Sequence, residues 1–498
     1  MRISVPLATR LFATTLLVAA CGTPVTVATT AAPIAAPIAT IDLTKPPTLL
    51  PPPRLALPPI AKAELPNGLT LLIVEHPELP IADLTLVVRS GYEADPRQHE
   101  GLASLTAALL DEGTTTRNAL QIADQQAFLG VRLSTSAGWD MSTVSLHTPT
   151  AQLDSALALF TDVVLNPTFP QAELDRLRLE RHTLLTQLRD RPPAIADQAY
   201  ATILFGEDHP YGRPTLGTEA SVKSITQSDI RAYYQEHYRP NNATLLVVGD
   251  IRPADIQQRI ASLMSQWVRR NSPRAVMSKS PVRNIAARTT VFLIDKPGAP
   301  QSSIRVGGIG VARSTADYFP LLVMNTVLGV PFTSRLMQNL RETHAYTYGA
   351  WSRFDMRREP GPFVAQAEVV AGKTDSALVE FMKELRAIRD TVPQAELQRA
   401  KRYLQLQLPS LFEATGDIAY QLTSLAVYNL PLDFYNSYVQ RIDEVTQADV
   451  QRVAREYINP DRLSIVVVGD RKQIEGGISK LGLGEIVVRD IHGKAVRR

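Results

Sequence analysis

Arg341 and Tyr348 stand seven residues apart in the stretch SRLMQNLRETHAYTYGAW. A guanidinium and a phenol are both hydrogen-bond donors. Either can hydrogen-bond an oxygen that gains negative charge when a carbonyl is attacked. Local chemistry equally allows Arg341 to pair with Glu342 and Tyr348 to pack in a strand. Metal chemistry has less to work with. The eight histidines are His76, His99, His147, His182, His209, His237, His344 and His492. No two are four residues apart, the spacing that puts two imidazoles on one helix face. His182 lacks a partner and reads as a surface or core histidine; His209, in HPYGRP, reads as a turn residue. The single cysteine, Cys21, excludes an internal disulfide and a Cys-based zinc site.

A second stretch, GLASLTAALLDEGT (101–114), carries the opposite message. Leu102, Leu105 and Leu109 fall at helical spacing, and Gly113 stands where a helix would stop. One flank holds only Ala103, Ser104, Ala107 and Ala108. None of these binds a metal in the usual way or titrates near neutrality. Further on, GVRLSTSAGWDMSTVSLHT reads as two strands with a turn near Gly138 and Trp139. Ser134 and Trp139 read there as ordinary sheet residues.

The elements that position these stretches come in two copies. TQSDIRAYYQEHYRPNNATLLVVGD (226–250) aligns without a gap on TQADVQRVAREYINPDRLSIVVVGD (446–470). Each copy reads as a capped helix, a Pro turn and a buried strand ending in Gly-Asp. A 220-residue offset is far too long for a solenoid and implies a duplicated domain. The expected fold is α+β: two homologous domains, each a mixed, mostly antiparallel sheet packed with helices. The first spans 61–270 and the second 288–498, joined by a polar, basic linker at 271–287. AELPNGLTLLIVEH opens the first with strands around an Asn67-Gly68 turn.

With 498 residues, 45% hydrophobic and 20% charged, the chain has ample material for two cores. A net charge of +3 without long basic runs argues against nucleic acid as a partner. The start, MRISVPLATRLFATTLLVAACGT, has Arg2 and Arg10 before a short apolar run. Residues 1–20 read as a signal peptide, and Val18-Ala19-Ala20-Cys21 resembles a bacterial lipobox that leaves Cys21 for lipidation. Residues 21–60 are rich in Ala, Pro and Thr and read as a tether, able to reach on the order of 120 Å when extended. The resemblance of this start to known lipoproteins implies a body in the periplasm, lipid-anchored to the outer membrane of a Gram-negative cell.

Taken in order, LPNGLTLLIVEH, GLASLTAALLDEGT, HPYGRPTLGTE, HYRPNNATLLVVGD and LGVPFTSRLMQNLRETHAYTYG resemble the inverted-zincin metallopeptidases of the insulinase and pitrilysin type, especially the mitochondrial-processing-peptidase-like bacterial branch. The resemblance covers nearly the whole body and implies that the chain forms one half of a clam-shell. In active members the helix after Gly-Leu-Ala carries His-x-x-Glu-His, two zinc ligands and the base that activates water. Those roles fall on Ser104, Ala107 and Ala108. The stretch LERHTLLTQL puts the downstream glutamate ligand at Gln187. The resemblance thus implies a chain that binds no zinc itself. Arg341 and Tyr348 match the family's substrate-binding pair across the chamber. Pro331 stiffens the loop that is glycine-rich in relatives, and Ser134-Thr135 replaces the Asn-Ala of their peptide-binding edge. The implied function is the non-catalytic subunit of a heterodimeric zinc endopeptidase that cuts extended peptides, with zinc in the partner chain. The alternative is a peptide-binding or scaffolding pseudopeptidase.

Overall fold

The sequence repeat becomes two copies of one sheet, seen in a computed structural model that describes residues 57–270 and 288–496. Cys21, the signal segment, most of the tether and the 271–287 connection lie outside the described residues. The first half runs β1 (Ala61–Glu64), β2 (Thr70–Glu75), β3 (Ile81–Val88), α1 (Leu102–Leu109), α2 (Ala119–Leu129), β4 (Arg132–Ala137), β5 (Ser142–Pro149), α3 (Leu153–Leu165), α4 (Gln171–Leu188), α5 (Pro192–Phe205), α6 (Glu219–Ser224), α7 (Gln227–His237), β6 (Ala243–Gly249) and α8 (Pro253–Leu263). The second runs β7 (Thr290–Asp295), β8 (Gln301–Ile309), α9 (Tyr318–Gly329), a π-helix (Met337–Thr343), β9 (Thr347–Phe354), β10 (Pro362–Val370), α10 (Thr374–Asp390), α11 (Gln394–Gln407), α12 (Thr415–Tyr428), α13 (Tyr438–Glu444), α14 (Gln447–Tyr457), β11 (Ser464–Gly469), α15 (Arg471–Lys480) and β12 (Glu485–Arg489).

The strand orders are β1-β2-β6-β3-β5-β4 and β12-β7-β11-β8-β10-β9. β2 runs parallel to β6, β7 runs parallel to both β11 and β12, and the remaining neighbours pair antiparallel. The central strands ATLLVVG and SIVVVG are buried along their whole length, which is why they read as unbroken apolar runs. The helices before them start on matching capping boxes. The Thr226 side chain accepts from the Asp229 amide, and Thr446 does the same for Asp449.

Each sheet packs its own helices on one face and a helix of the other half on the opposite face. α5, from the first half, lies across β8 and β11, where Ile195, Ala199, Tyr200 and Phe205 meet Phe292, Ile294, Val466 and Val468. α12, from the second half, lies across β3 and β6, where Ile418 and Leu422 join Leu72, Val74, Leu246 and Val248. Each such apolar side chain contributes roughly 1.5–3 kcal/mol on burial, so the exchange ties the halves firmly. Polar contacts fix its register. Arg305, 2% exposed, donates to Asp197 of α5 at 2.7 Å and to Glu368 at 3.0 Å. Thr415 donates to Asp83 at 2.5 Å. The two halves accordingly belong to one compact unit.

Candidate functional site

Two regions carry the residues singled out in the sequence. The first is the contact of α1 with α4. α1 begins where the buried Asp95 carboxylate accepts from the amides of Gly101 and Ala103, at 2.8 and 2.7 Å. It thereby satisfies two of the helix's free N–H groups. Gly101 has φ +91°, and a Cβ there would meet the Leu216 carbonyl oxygen at 2.8 Å, so the Gly-Leu-Ala start is a matter of space. The helix closes at Leu109, one turn before the stop expected at Gly113.

Within α1, Ala107 points into the core, while Ser104 and Ala108 are half-buried. Gln187 does not join them. It is exposed, whereas Leu177 and Leu185 of the same helix pack against the first core. The α4 side chain that reaches α1 is Arg181. Its Nη2 donates to Ser104 Oγ at 2.9 Å, and its Nη1 donates to the Leu216 carbonyl at 3.1 Å. Gln187 lies about 120° round the helix from Arg181, so α4 turns it away from α1. Burial pulls the Arg181 pKa below its ordinary value, and the Tyr92 phenol, itself pushed up by burial, is the group that offsets this. A hydroxyl, two methyl groups and a guanidinium do not fit a zinc ion: they offer it no anionic donor and place a cation beside it. Among the described residues no group of three His, Cys, Asp or Glu side chains is placed to hold a metal.

The second region is in the other half. The chain leaves α9, passes Pro331 and winds through the π-helix, a geometry often found at functional positions. Asn339 holds that turn to α10 by donating to Glu380 and Glu384 at 2.8 and 2.6 Å. Ala345 then takes φ +53°, an unusual angle for a residue with a Cβ, and donates its amide to the Arg341 carbonyl at 3.0 Å. The Arg341 guanidinium lies 3.3 Å from Glu342 and 4.8 Å above the Phe332 ring. Tyr348 follows on β9, the outer strand of its sheet, and is 88% exposed.

A turn beyond β9 links the two regions. Arg357 stacks over Trp139 at 3.9 Å and Tyr211 at 4.5 Å. The Arg358 amide donates to Asp140 at 2.8 Å, and its guanidinium lies 3.4 Å from Glu93. Trp139, expected to be an ordinary sheet residue, is therefore a joint between the halves. Burial pushes Glu93 up to about 8, against the opposing pull of Arg358. His209 is buried in its turn and accepts from the Tyr211 amide at 3.1 Å; His182 is exposed beside Glu219. Arg181, Arg357 and Arg358 are not legible in the sequence, because the contacts that give them a role here, with Ser104, Trp139 and Glu93, are made by residues far apart in the chain.

Residues 70–219 match the family described as insulinase (peptidase family M16), and residues 224–404 match the peptidase M16 inactive domain. The chain belongs to the insulinase family. Among the relatives of this insulinase-family chain, an uncharacterised zinc protease of Mycobacterium leprae is 26% identical over 82% of this chain and 92% of its own. A probable mitochondrial-processing peptidase subunit beta of Schizosaccharomyces pombe is 23% identical over 84% and 93%. The solved M16 inactive domain from Pseudomonas fluorescens superposes with a TM-score of 0.76 at 27% identity, covering 82% of this chain and 98% of that one. A Helicobacter pylori protease shares the fold, with a TM-score of 0.74 at 20% identity over 83% of this chain and 100% of that one. Within this family the chain is degenerate.

Proposed function

We propose that this protein is the non-catalytic subunit of a two-chain zinc endopeptidase, working with a family member that carries its own intact metal motif. The observation that carries this reading is the asymmetry of the two regions. The α1 face has no ligand to offer, while Arg341 and Tyr348 remain on the surface rather than in a core. The Arg341–Glu342 contact is an exposed pair, worth at most about 1 kcal/mol, so a substrate carbonyl can take the guanidinium from it. The Tyr348 hydroxyl and the Arg341 fork would then donate to the carbonyl oxygen of an extended peptide and hold it as negative charge develops. Metal and base would belong to the partner. A lipid on Cys21 would hold the pair at the periplasmic face of the outer membrane. Cys21→Ser should then release the protein from the membrane fraction, and retention there would refute the anchor.

The test is reconstitution. Alone, the full chain should contain no stoichiometric zinc by elemental analysis and should leave a fluorogenic peptide intact. Mixed with a family member bearing His-x-x-Glu-His, it should elute as a larger complex and raise turnover. Tightly bound zinc with chelator-sensitive cleavage by the chain alone would overturn the reading. A second reading, a peptide-binding pseudopeptidase without catalytic role, is favoured by the cation that α4 directs at α1.

A further inference from the structure

Arg181 is a half-buried cation served only by neutral acceptors, the Ser104 hydroxyl and the Leu216 carbonyl. The other buried arginines find a carboxylate or an aromatic face, and Arg313 takes the second course over the Tyr318 and Phe434 rings. Arg305 meets Asp197 and Glu368, Arg335 meets Glu396, and Arg357 meets Asp355. Arg213 resembles Arg181 in donating to carbonyls, but Glu100, Asp95 and Asp208 lie in its field. A guanidinium stays charged at any ordinary pH, so partial burial without a counter-ion is costly. That cost falls when an anion arrives, and a planar fork matches the two oxygens of a carboxylate, the anion that a peptide itself carries.

The position says which carboxylate. Ser104 and Ala108 are half-buried, so the Ser104–Arg181 contact is open on one side. α1 packs against β4, the outer strand of the first sheet, whose far edge pairs with no other strand of the sheet. An extended peptide laid along that edge passes α1. We propose that Arg181, oriented by Ser104, forms a binding site for a peptide carboxylate where active relatives hold their metal, so that this half retains a peptide by its acidic end rather than cutting it. The proposal rests on the reading that the chain binds extended peptides. The carboxylate can come from a peptide C-terminus or from an Asp or Glu side chain.

Fluorescence anisotropy with the full chain separates these cases. Three fluorescein-labelled octapeptides are used: a free acid, its C-terminal amide, and the amide with a glutamate at the last position. The free acid should bind about tenfold or more tighter than the plain amide, and Arg181→Gln should abolish the difference. If the glutamate amide matches the free acid, the side chain is a sufficient source; if it matches the plain amide, the terminus is the ligand. Should Arg181→Gln unfold the chain, wild-type protein gives a second readout: the free acid, and not the plain amide, should protect Arg181 from phenylglyoxal, read by peptide mass mapping. Equal affinity of all three peptides, or discrimination that survives Arg181→Gln, overturns the carboxylate site while leaving peptide binding intact. Binding of none of them overturns both.

Discussion

The α1 face and the π-helix–β9 segment lie in equivalent halves of a duplicated fold, yet they have gone opposite ways. In the first, α1 presents small side chains, and Arg181 of α4 is turned inward onto a serine. In the second, an arginine and a tyrosine are carried on an outer strand and an irregular helix and left facing water. Both halves keep the same sheet, the same capping boxes and the same buried central strand. The scaffold is thus preserved by packing that neither site depends on. A half can change its chemistry without losing its shape, because Ser104 and Ala108 sit at the half-buried edge of α1 while Leu102, Leu105 and Leu109 keep its core contacts.

The comparison breaks most visibly at Tyr348. In the reconstituted pair, Tyr348→Phe keeps the ring and removes one donor, and turnover should fall about 100-fold with assembly unchanged. Gln187→Ala, on the exposed side of α4, should leave turnover within about twofold. Equal turnover of wild type and Tyr348→Phe would mean that the exposed pair is a remnant, and the scaffold reading would replace the shared site.

A smaller effect tests the seam between the two regions. Glu93 in the first half faces Arg358 from the turn after β9, and burial pushes the carboxyl up to about 8. The folded protein therefore holds a proton that the unfolded chain releases near pH 4.5. Its stability contribution is full below that pH and is lost as pH rises towards about 8. Thermal melts should fall by a few degrees between about pH 5 and pH 8, and Glu93→Gln should make that slope shallower, leaving the share of the buried Asp95 and Asp111 carboxyls. An unchanged slope in Glu93→Gln would show that the seam titrates elsewhere.

Much of the fold was legible in the sequence, for reasons visible in single elements. LLVVG and IVVVG are continuous apolar runs because both faces of β6 and β11 are covered. Thr226 and Thr446 announce their helices because a capping box is a four-residue affair. The site was legible only in part. Ser104, Ala107 and Ala108 share α1, and α1 follows from local spacing. The partner on α4 depends on the rotation of a second helix against the first, which spacing across some eighty residues does not determine. That rotation presents Arg181 and turns Gln187 to solvent. Trp139 and Arg357 were hidden for the same reason: their meeting is a product of how the halves dock.

That docking has a historical consequence. α5 covers the sheet of the second half and α12 covers the sheet of the first. One repeat by itself would have a bare sheet face and a helix with nowhere to lie. Two identical copies would satisfy each other by trading those helices about a two-fold axis. The single-repeat ancestor of this chain would then have lived as a symmetric, helix-swapped dimer, and joining two copies in one gene would have turned a concentration-dependent partnership into an internal one.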